Sequence, residues 1–178
     1  MVKKVNYQVL RSIDKVELRK YPKLLLATVT GLDENEAFNL LFNYITGSNR
    51  TQQKVEMTAP VISSQKIEMT APVISTVSAM SFVMPEKFNI NTVPTPNNPR
   101  VMIEEVQGST IAVLRFSGHT NTNVVNRYKN ELLTVLKKNN IKPTGDPFLM
   151  RYNSPFMPGF LRRNELGIKV VDKARNIK

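Results

Sequence analysis

The pattern of hydrophobic and polar positions predicts several strands along the chain. Apolar and charged side chains alternate over residues 16–21, which is the spacing of a strand with one buried face. A second β-rich run covers residues 24–30 and ends at Gly31. Stretches of similar character predict further strands at residues 80–84, 101–105, 110–117, 148–152 and 166–171.

Two other stretches place apolar residues at helical spacing. Residues 34–46 carry an apolar stripe on one face, with Asp33 as the predicted N-cap and Gly47 as the predicted end. A second helix with the same spacing is predicted in the latter half of the chain, where Thr120 or Thr122 is the expected cap. The sequence therefore predicts two helices among many strands.

A nine-residue segment occurs twice. Lys-Val-Glu-Met-Thr-Ala-Pro-Val-Ile at residues 54–62 recurs at 66–74 with one change, Val to Ile. Two copies are too few for a solenoid, so the segment is interpreted as a local duplication. Because proline cannot donate a ladder hydrogen bond, Pro60 and Pro72 are expected at a sheet edge, a bulge or a strand end.

The order strand, strand, glycine, helix also occurs twice, with Gly31 and Gly118 as the two glycines. A proline-rich segment, residues 91–99, separates the two occurrences and is predicted to be a linker. This symmetry predicts an α+β protein with mainly antiparallel strands and two covering helices. The whole chain is expected to form one domain of two pseudo-symmetric halves, residues 7–90 and 100–171.

Composition narrows the possible chemistry. The chain has 178 residues, no Cys and one His, which excludes disulfides, thiol nucleophiles, iron–sulfur clusters and Cys-ligated zinc. Lys and Arg number 25 against 14 Asp and Glu, so the net charge is +11. This charge predicts an anionic partner, but no nucleic-acid motif and no phosphate-binding loop accompanies it. We therefore expect no nucleic acid as partner.

Location and assembly are predicted from weaker signals. The apolar stretches are shorter than the roughly 20 residues of a membrane span. The first seven residues lack the apolar run of a signal peptide. We therefore expect a cytoplasmic monomer without a membrane span.

The sequence contains no convincing catalytic constellation. His119, in Ser-Gly-His-Thr, has no sequence partner for a Ser–His–Asp triad, and no Gly-x-Ser-x-Gly elbow is present. No combination of residues predicts a metal site. The chain is therefore predicted not to be an enzyme.

Residues 151–165 mix aromatic side chains, turn residues and three Arg. A segment this apolar is expected to be buried against another surface. It either closes the hydrophobic core or walls a cleft for a flat apolar ligand with acidic edges, to which Arg supplies the opposite charge. The sequence leaves both interpretations open.

Four segments carry a family resemblance. They are Lys-Val-Glu-Met-Thr-Ala-Pro-Val at residues 54–61, Met-Ser-Phe-Val-Met-Pro at 80–85, Arg-Phe-Ser-Gly at 115–118, and Arg-Tyr-Asn-Ser-Pro-Phe with Leu-Arg-Arg-Asn-Glu within 151–165. In this order they resemble the SOUL haem-binding proteins, and the likeness extends over residues 7–171.

The resemblance implies a fold and a ligand. The implied fold has two pseudo-symmetric β-α-β-β halves that form a distorted antiparallel barrel flanked by two helices, as in small-molecule effector-binding domains. The implied ligand is haem or another porphyrin, an anionic apolar molecule held in an apolar cleft without a strong axial ligand, since His119 is a poor axial candidate. The residues expected to bind it are Phe38, Leu41, Phe42, Ile45, Arg151, Phe156, Met157, Phe160, Arg162 and Arg163.

Other functions remain open at this stage. One is an effector-binding or protein-interaction module that binds no haem. Another is a hydrolase of tetrapyrroles or related compounds, for which Glu105 and Glu165 are the available carboxylates. For Arg162 and Arg163, pairing with Glu165 or with the backbone is an alternative to ligand binding.

Overall fold

The computed structural model of the chain describes residues 3–64, 78–153 and 157–171. The second copy of the duplicated segment and Phe156 lie outside the described residues. The described strands are β1 (Lys3–Lys4), β2 (Gln8–Ile13), β3 (Val16–Tyr21), β4 (Leu24–Thr30), β5 (Thr58–Ser64), β6 (Ala79–Val83), β7 (Met102–Val106), β8 (Ser109–Ser117), β9 (Phe148–Arg151) and β10 (Arg163–Lys169). The helices are α1 (Glu34–Thr46) and α2 (Thr122–Lys138), and a 3-10 turn spans Gly159–Leu161.

The elements belong to two compact units. Unit 1 comprises residues 1–5 and 24–106, and unit 2 comprises residues 6–23 and 107–178. In unit 1 the strand order is β5-β6-β4-β7, all antiparallel, and β1 pairs in parallel with β5. In unit 2 the antiparallel order is β9-β10-β8-β3-β2. Within the described residues, each unit therefore holds one α-helix and one antiparallel ladder, to which β1 adds a parallel pair in unit 1.

The two ladders have the same plan. In each unit a strand leads into the helix and two further strands follow, as β4-α1-β5-β6 and as β8-α2-β9-β10. An additional strand, β7 or β3, pairs with the strand that precedes the helix. This repetition confirms the predicted α+β class with two pseudo-symmetric β-α-β-β arrangements. The pairings within each unit do not confirm closure into a barrel.

Helix α1 begins and ends as predicted. The Asp33 side chain accepts hydrogen bonds from the backbone N–H groups of Asn35 and Glu36 at 2.8 and 3.0 Å, and Gly47 ends the helix with φ of 123°. The buried face of α1 packs on the sheet of unit 1, in a core that includes Leu25, Ala27, Val29, Ala37, Leu41, Tyr44, Ile45, Met80 and Phe82.

The predicted linker at residues 91–99 is attached to the end of α1. The Tyr44 hydroxyl donates to the Pro94 carbonyl oxygen at 2.7 Å, and the Arg50 N–H donates to the Thr95 carbonyl at 3.0 Å. Burial raises the pKa of Tyr44 to about 12, which keeps its hydroxyl protonated as a donor. The proline-rich segment is therefore fixed within unit 1.

Helix α2 differs from expectation at its start. Its N-cap is Asn121, whose side chain accepts from the Val124 N–H at 3.0 Å, so the expected Thr cap was wrong. Asn is at least as good a cap as Thr because its side-chain oxygen reaches the same N–H groups. The buried face of α2 contributes Leu132 and Leu136 to the core of unit 2, beside Val16, Ala112, Leu114, Phe116, Leu149, Leu166 and Ile168.

Strand β5 runs through Pro60. The register of the β5–β6 pair shifts between Thr58 and Val61, so Pro60 lies at an irregularity of the ladder. Of the expected positions, a sheet edge, a bulge or a strand end, this irregularity agrees with the bulge. Pro72 belongs to the second copy, outside the described residues.

Candidate functional site

An aromatic pair lies on the side of α1 that is only partly covered. The rings of Phe38 and Phe42 stack with centroids 5.9 Å apart and an interplanar angle of 12°. Phe38 also meets the buried ring of Phe82 edge-on at 5.5 Å. Phe42 remains 44% exposed, so unit 1 presents a flat aromatic surface whose base is held by the core.

The other predicted residues of α1 point into the core of unit 1. Leu41 is fully buried, and Ile45 is nearly so. Both belong to the cluster that packs the helix on its sheet. In this structure the side chains of Phe38 and Phe42 therefore reach the surface of unit 1, whereas Leu41 and Ile45 hold the helix in place.

In unit 2, the described part of the predicted segment forms an exposed turn. Phe160 is 76% exposed and Leu161 is 58% exposed. The Leu161 N–H donates to the Pro158 carbonyl at 2.9 Å, and Arg162 Nε donates to the Met157 carbonyl at 2.7 Å. Arg151, Met157 and Arg162 are half-buried. The turn therefore has its own hydrogen bonds and projects two apolar side chains.

A buried ionic cluster lies in the same unit. Glu165 has no exposed surface, and its two oxygens accept from Arg19 Nη1 at 2.7 Å and Arg19 Nη2 at 3.1 Å. Arg163 Nη2 donates to the same carboxylate at 2.7 Å. Arg163 therefore pairs with Glu165, which is the alternative that the sequence left open for it.

Three tyrosines surround this cluster. The Arg19 guanidinium lies 4.3 Å above the ring of Tyr7, and that of Arg163 lies 4.4 Å above the ring of Tyr152. Arg19 Nη1 also donates to the Tyr21 hydroxyl at 3.3 Å. Burial, reinforced by the negative charge of Glu165, raises the pKa of Tyr152. The phenol of Tyr152 is therefore neutral across the physiological range, and the cations are covered by aromatic faces.

The charge state of Glu165 follows from two opposing effects. Burial by itself raises the pKa of this carboxyl, but the hydrogen bonds from Arg19 and Arg163 outweigh burial and hold the pKa below its usual 4.5. Glu165 is therefore an ionised carboxylate whose oxygens are engaged by two cations.

This cluster predicts a stability loss in acid. Since the folded pKa of Glu165 lies below 4.5, its contribution to stability is present above that pH and is lost as the pH falls through the lower folded value. Urea unfolding between about pH 7 and about pH 3 should therefore show the stability advantage of wild type over Glu165→Gln shrinking below about pH 4.5. An advantage that stays constant over this range would contradict the assignment.

The single histidine packs against the exposed turn. A Cβ atom built on Gly159 would lie 2.6 Å from Cε1 and Nε2 of His119, so the imidazole ring occupies the space beside this glycine. His119 itself is exposed. Within residues 3–64, 78–153 and 157–171, no group of three or more His, Asp or Glu side chains is placed to hold a metal ion.

Comparison with known sequences decides the family. The family described as SOUL heme-binding protein matches residues 2–169, nearly the whole chain. The chain belongs to the SOUL family. This membership confirms the resemblance carried by the four motif segments. It also supports small-molecule binding as the general function of the protein. No curated protein matches the chain.

Solved structures place this SOUL protein among effector-binding-like folds. A hydrolase from Listeria innocua matches with a TM-score of 0.66 at 11% identity, covering 91% of this chain and 94% of that one. The C-terminal domain of EcmrR matches with a TM-score of 0.65 at 10% identity, covering 93% and 98%. At such identities the likeness shows the fold alone, and it agrees with the predicted fold class.

The helices of the SOUL chain were also compared with the length of a membrane span. Among the helices of the described residues, none is long and apolar enough to cross a membrane.

Arg19 is a residue of the buried cluster that the sequence did not reveal. The alternation of apolar and charged residues in β3 predicts that the face carrying Arg19 is exposed to solvent. The available signal was Tyr21, an aromatic residue on the same face of the strand as Arg19.

Proposed function

We propose that this SOUL protein binds haem or another tetrapyrrole on an apolar surface, without a strong axial ligand from the protein. The observation that carries the proposal is the exposed ring of Phe42 stacked on Phe38. A planar macrocycle laid on this pair removes apolar surface from water at about 25 cal/mol per Å² before entropic costs. Family membership supports the same ligand class.

The carboxylates of a porphyrin are expected to pair with arginine side chains of the protein. Arg163 is engaged with Glu165 in the buried cluster, which favours the structural role that the sequence left open for it. Arg151 and Arg162 are half-buried, and Arg162 Nε donates to the Met157 carbonyl, so their contact with a porphyrin carboxylate stays a prediction. Met157 and Phe160, like Phe156 outside the described residues, stay predicted ligand contacts.

This proposal assigns no strong axial protein ligand to the haem iron. Ligation of haem iron by Cys is excluded and by His is limited, because the chain has no Cys and one His. That His packs against Gly159 at an exposed turn of unit 2. We therefore propose that affinity comes from contact with the macrocycle and that haemin and protoporphyrin IX bind with similar affinity.

Titration of haemin and protoporphyrin IX tests the proposal directly. Both should bind with a dissociation constant below about 10 μM, followed by the Soret band and by porphyrin fluorescence. Phe42→Ala should weaken both about tenfold, because it removes the exposed ring of the stack. The matched control is Ile90→Ala, another exposed apolar residue of unit 1, which should leave both affinities unchanged.

Two outcomes would count against the proposal. If neither ligand binds below about 10 μM, the protein is better described as an effector-binding or protein-interaction module without tetrapyrrole binding. If His119→Ala shifts the Soret band of the haemin complex, the iron has a protein ligand and the proposed mode of binding is wrong.

A further inference from the structure

The positive charge of the protein belongs almost entirely to one unit. Unit 2 carries 18 Lys and Arg residues against 6 Asp and Glu, whereas unit 1 carries 7 against 8. The net charges are therefore +12 for unit 2 and −1 for unit 1. Residues 6–23 contribute five of these cations, and they belong to unit 2 although they precede residues 24–106 of unit 1 in the chain.

Among the described residues, the two most exposed large hydrophobic side chains lie in this cationic unit. They are Phe160 at 76% and Leu161 at 58%, neighbours on the 3-10 turn. Exposure of both apolar side chains to water has an unfavourable hydration free energy. Adjacent exposed apolar side chains in a strongly charged setting are typical of a surface that contacts a partner.

The turn that carries the pair is held at its base. Leu161 and Arg162 donate their N–H groups to the carbonyls of Pro158 and Gly159, at 2.9 and 3.1 Å. The ring of His119 fills the space beside Gly159, and Asn164 Nδ2 donates to the Gly118 carbonyl at 2.9 Å. The backbone of the turn is therefore already ordered, so little backbone entropy is lost when the two side chains enter another medium.

We propose that unit 2 docks on an anionic lipid bilayer, with Phe160 and Leu161 inserted at the level of the head groups. Charge complementarity argues for this occupant, because the +12 unit is attracted to an anionic surface before any apolar contact forms. Phe and Leu are residues that amphipathic anchors place at the boundary between head groups and acyl chains. An apolar insertion of this kind has no counterpart in electrostatic binding to a nucleic-acid backbone.

Vesicle flotation tests the docking. The full chain should float with phosphatidylcholine vesicles containing about 30% phosphatidylglycerol, and about tenfold less with phosphatidylcholine alone. The double change Phe160→Ser and Leu161→Ser should reduce binding to the anionic vesicles about tenfold or more. Its effect on folding should be small because both side chains are exposed, which far-UV circular dichroism and urea unfolding will check.

The matched control changes another exposed apolar pair of unit 2, Val9→Ser with Leu10→Ser on β2. It should bind anionic vesicles as wild type does. Absence of wild-type flotation with anionic vesicles would overturn the proposal, and so would equal binding by wild type and the Phe160/Leu161 variant. If the protein binds a DNA duplex more tightly than the anionic vesicles, the charge serves a nucleic acid and the docking is equally wrong. Phe160 is also a predicted haem contact, but the haem proposal is carried by Phe42 and is tested by Phe42→Ala, so either proposal can fail alone.

Discussion

Replacement of Glu165 by glutamine is expected to lower the free energy of unfolding by about 3–5 kcal/mol. The carboxylate is completely buried and is the shared acceptor of Arg19, itself 3% exposed, and Arg163. An amide has the same shape but no charge, so the two cations lose their shared anionic partner, although Arg19 keeps Glu17 at 2.7 Å. Urea unfolding followed by far-UV circular dichroism measures the loss.

The appropriate control is Glu131→Gln, which removes the carboxylate of an exposed ion pair with Lys15. Lys15 Nζ lies 3.3 Å from Glu131, and the lysine side chain is 78% exposed. Exposed pairs of this kind contribute about 0–1 kcal/mol, so this variant should unfold almost as wild type does. Equal losses for the two variants would show that burial of Glu165 confers no special stability.

Replacement of Leu41 by alanine is expected to cost about 2–5 kcal/mol. Leu41 has no exposed surface and packs in the core of unit 1 with Ala27, Val29 and Phe82. The change removes apolar contact and leaves a cavity that the surrounding sheet and helix can fill only in part. The loss is measured by the same urea unfolding experiment.

Phe42→Ala is the matched control at the next position of α1. Phe42 is 44% exposed, so its truncation should cost about 1 kcal/mol or less while weakening haemin binding. The two substitutions should therefore affect different properties: Leu41→Ala should lower stability, and Phe42→Ala should lower affinity for haemin. A Leu41→Ala protein that unfolds as wild type does would show that α1 does not depend on this contact.

The sequence was sufficient for features that depend on local spacing. Asp33 at the start of α1, Gly47 at its end and the irregularity at Pro60 follow from rules that involve a few neighbouring residues. The repeated order of strands and helix was also visible, since the two glycines before the helices mark it. For these features local physical chemistry and the final structure agree.

The candidate site was less predictable because burial depends on distant partners. Arg19 and Glu165 are 146 positions apart, and the alternating pattern of β3 indicates a solvated charge where the structure has a covered one. Leu41 and Phe42 are equally apolar by composition, and only the packing of α1 on its sheet distinguishes the buried side chain from the exposed one. Glu165 pairs with Arg163, whereas Arg162 donates to the Met157 carbonyl, and this choice depends on contacts that no local sequence pattern contains.

The placement of the β2–β3 hairpin in unit 2 has a consequence for synthesis of the chain. This hairpin emerges from the ribosome before residues 24–106 of unit 1, and its partner β8 follows only after them. Residues 24–106 are contiguous and can assemble while translation continues, whereas the hairpin waits with one strand edge unpaired and Arg19 without Glu165. Closure of this long loop, whose entropic cost grows only slowly with length, is therefore expected to be a late step of folding.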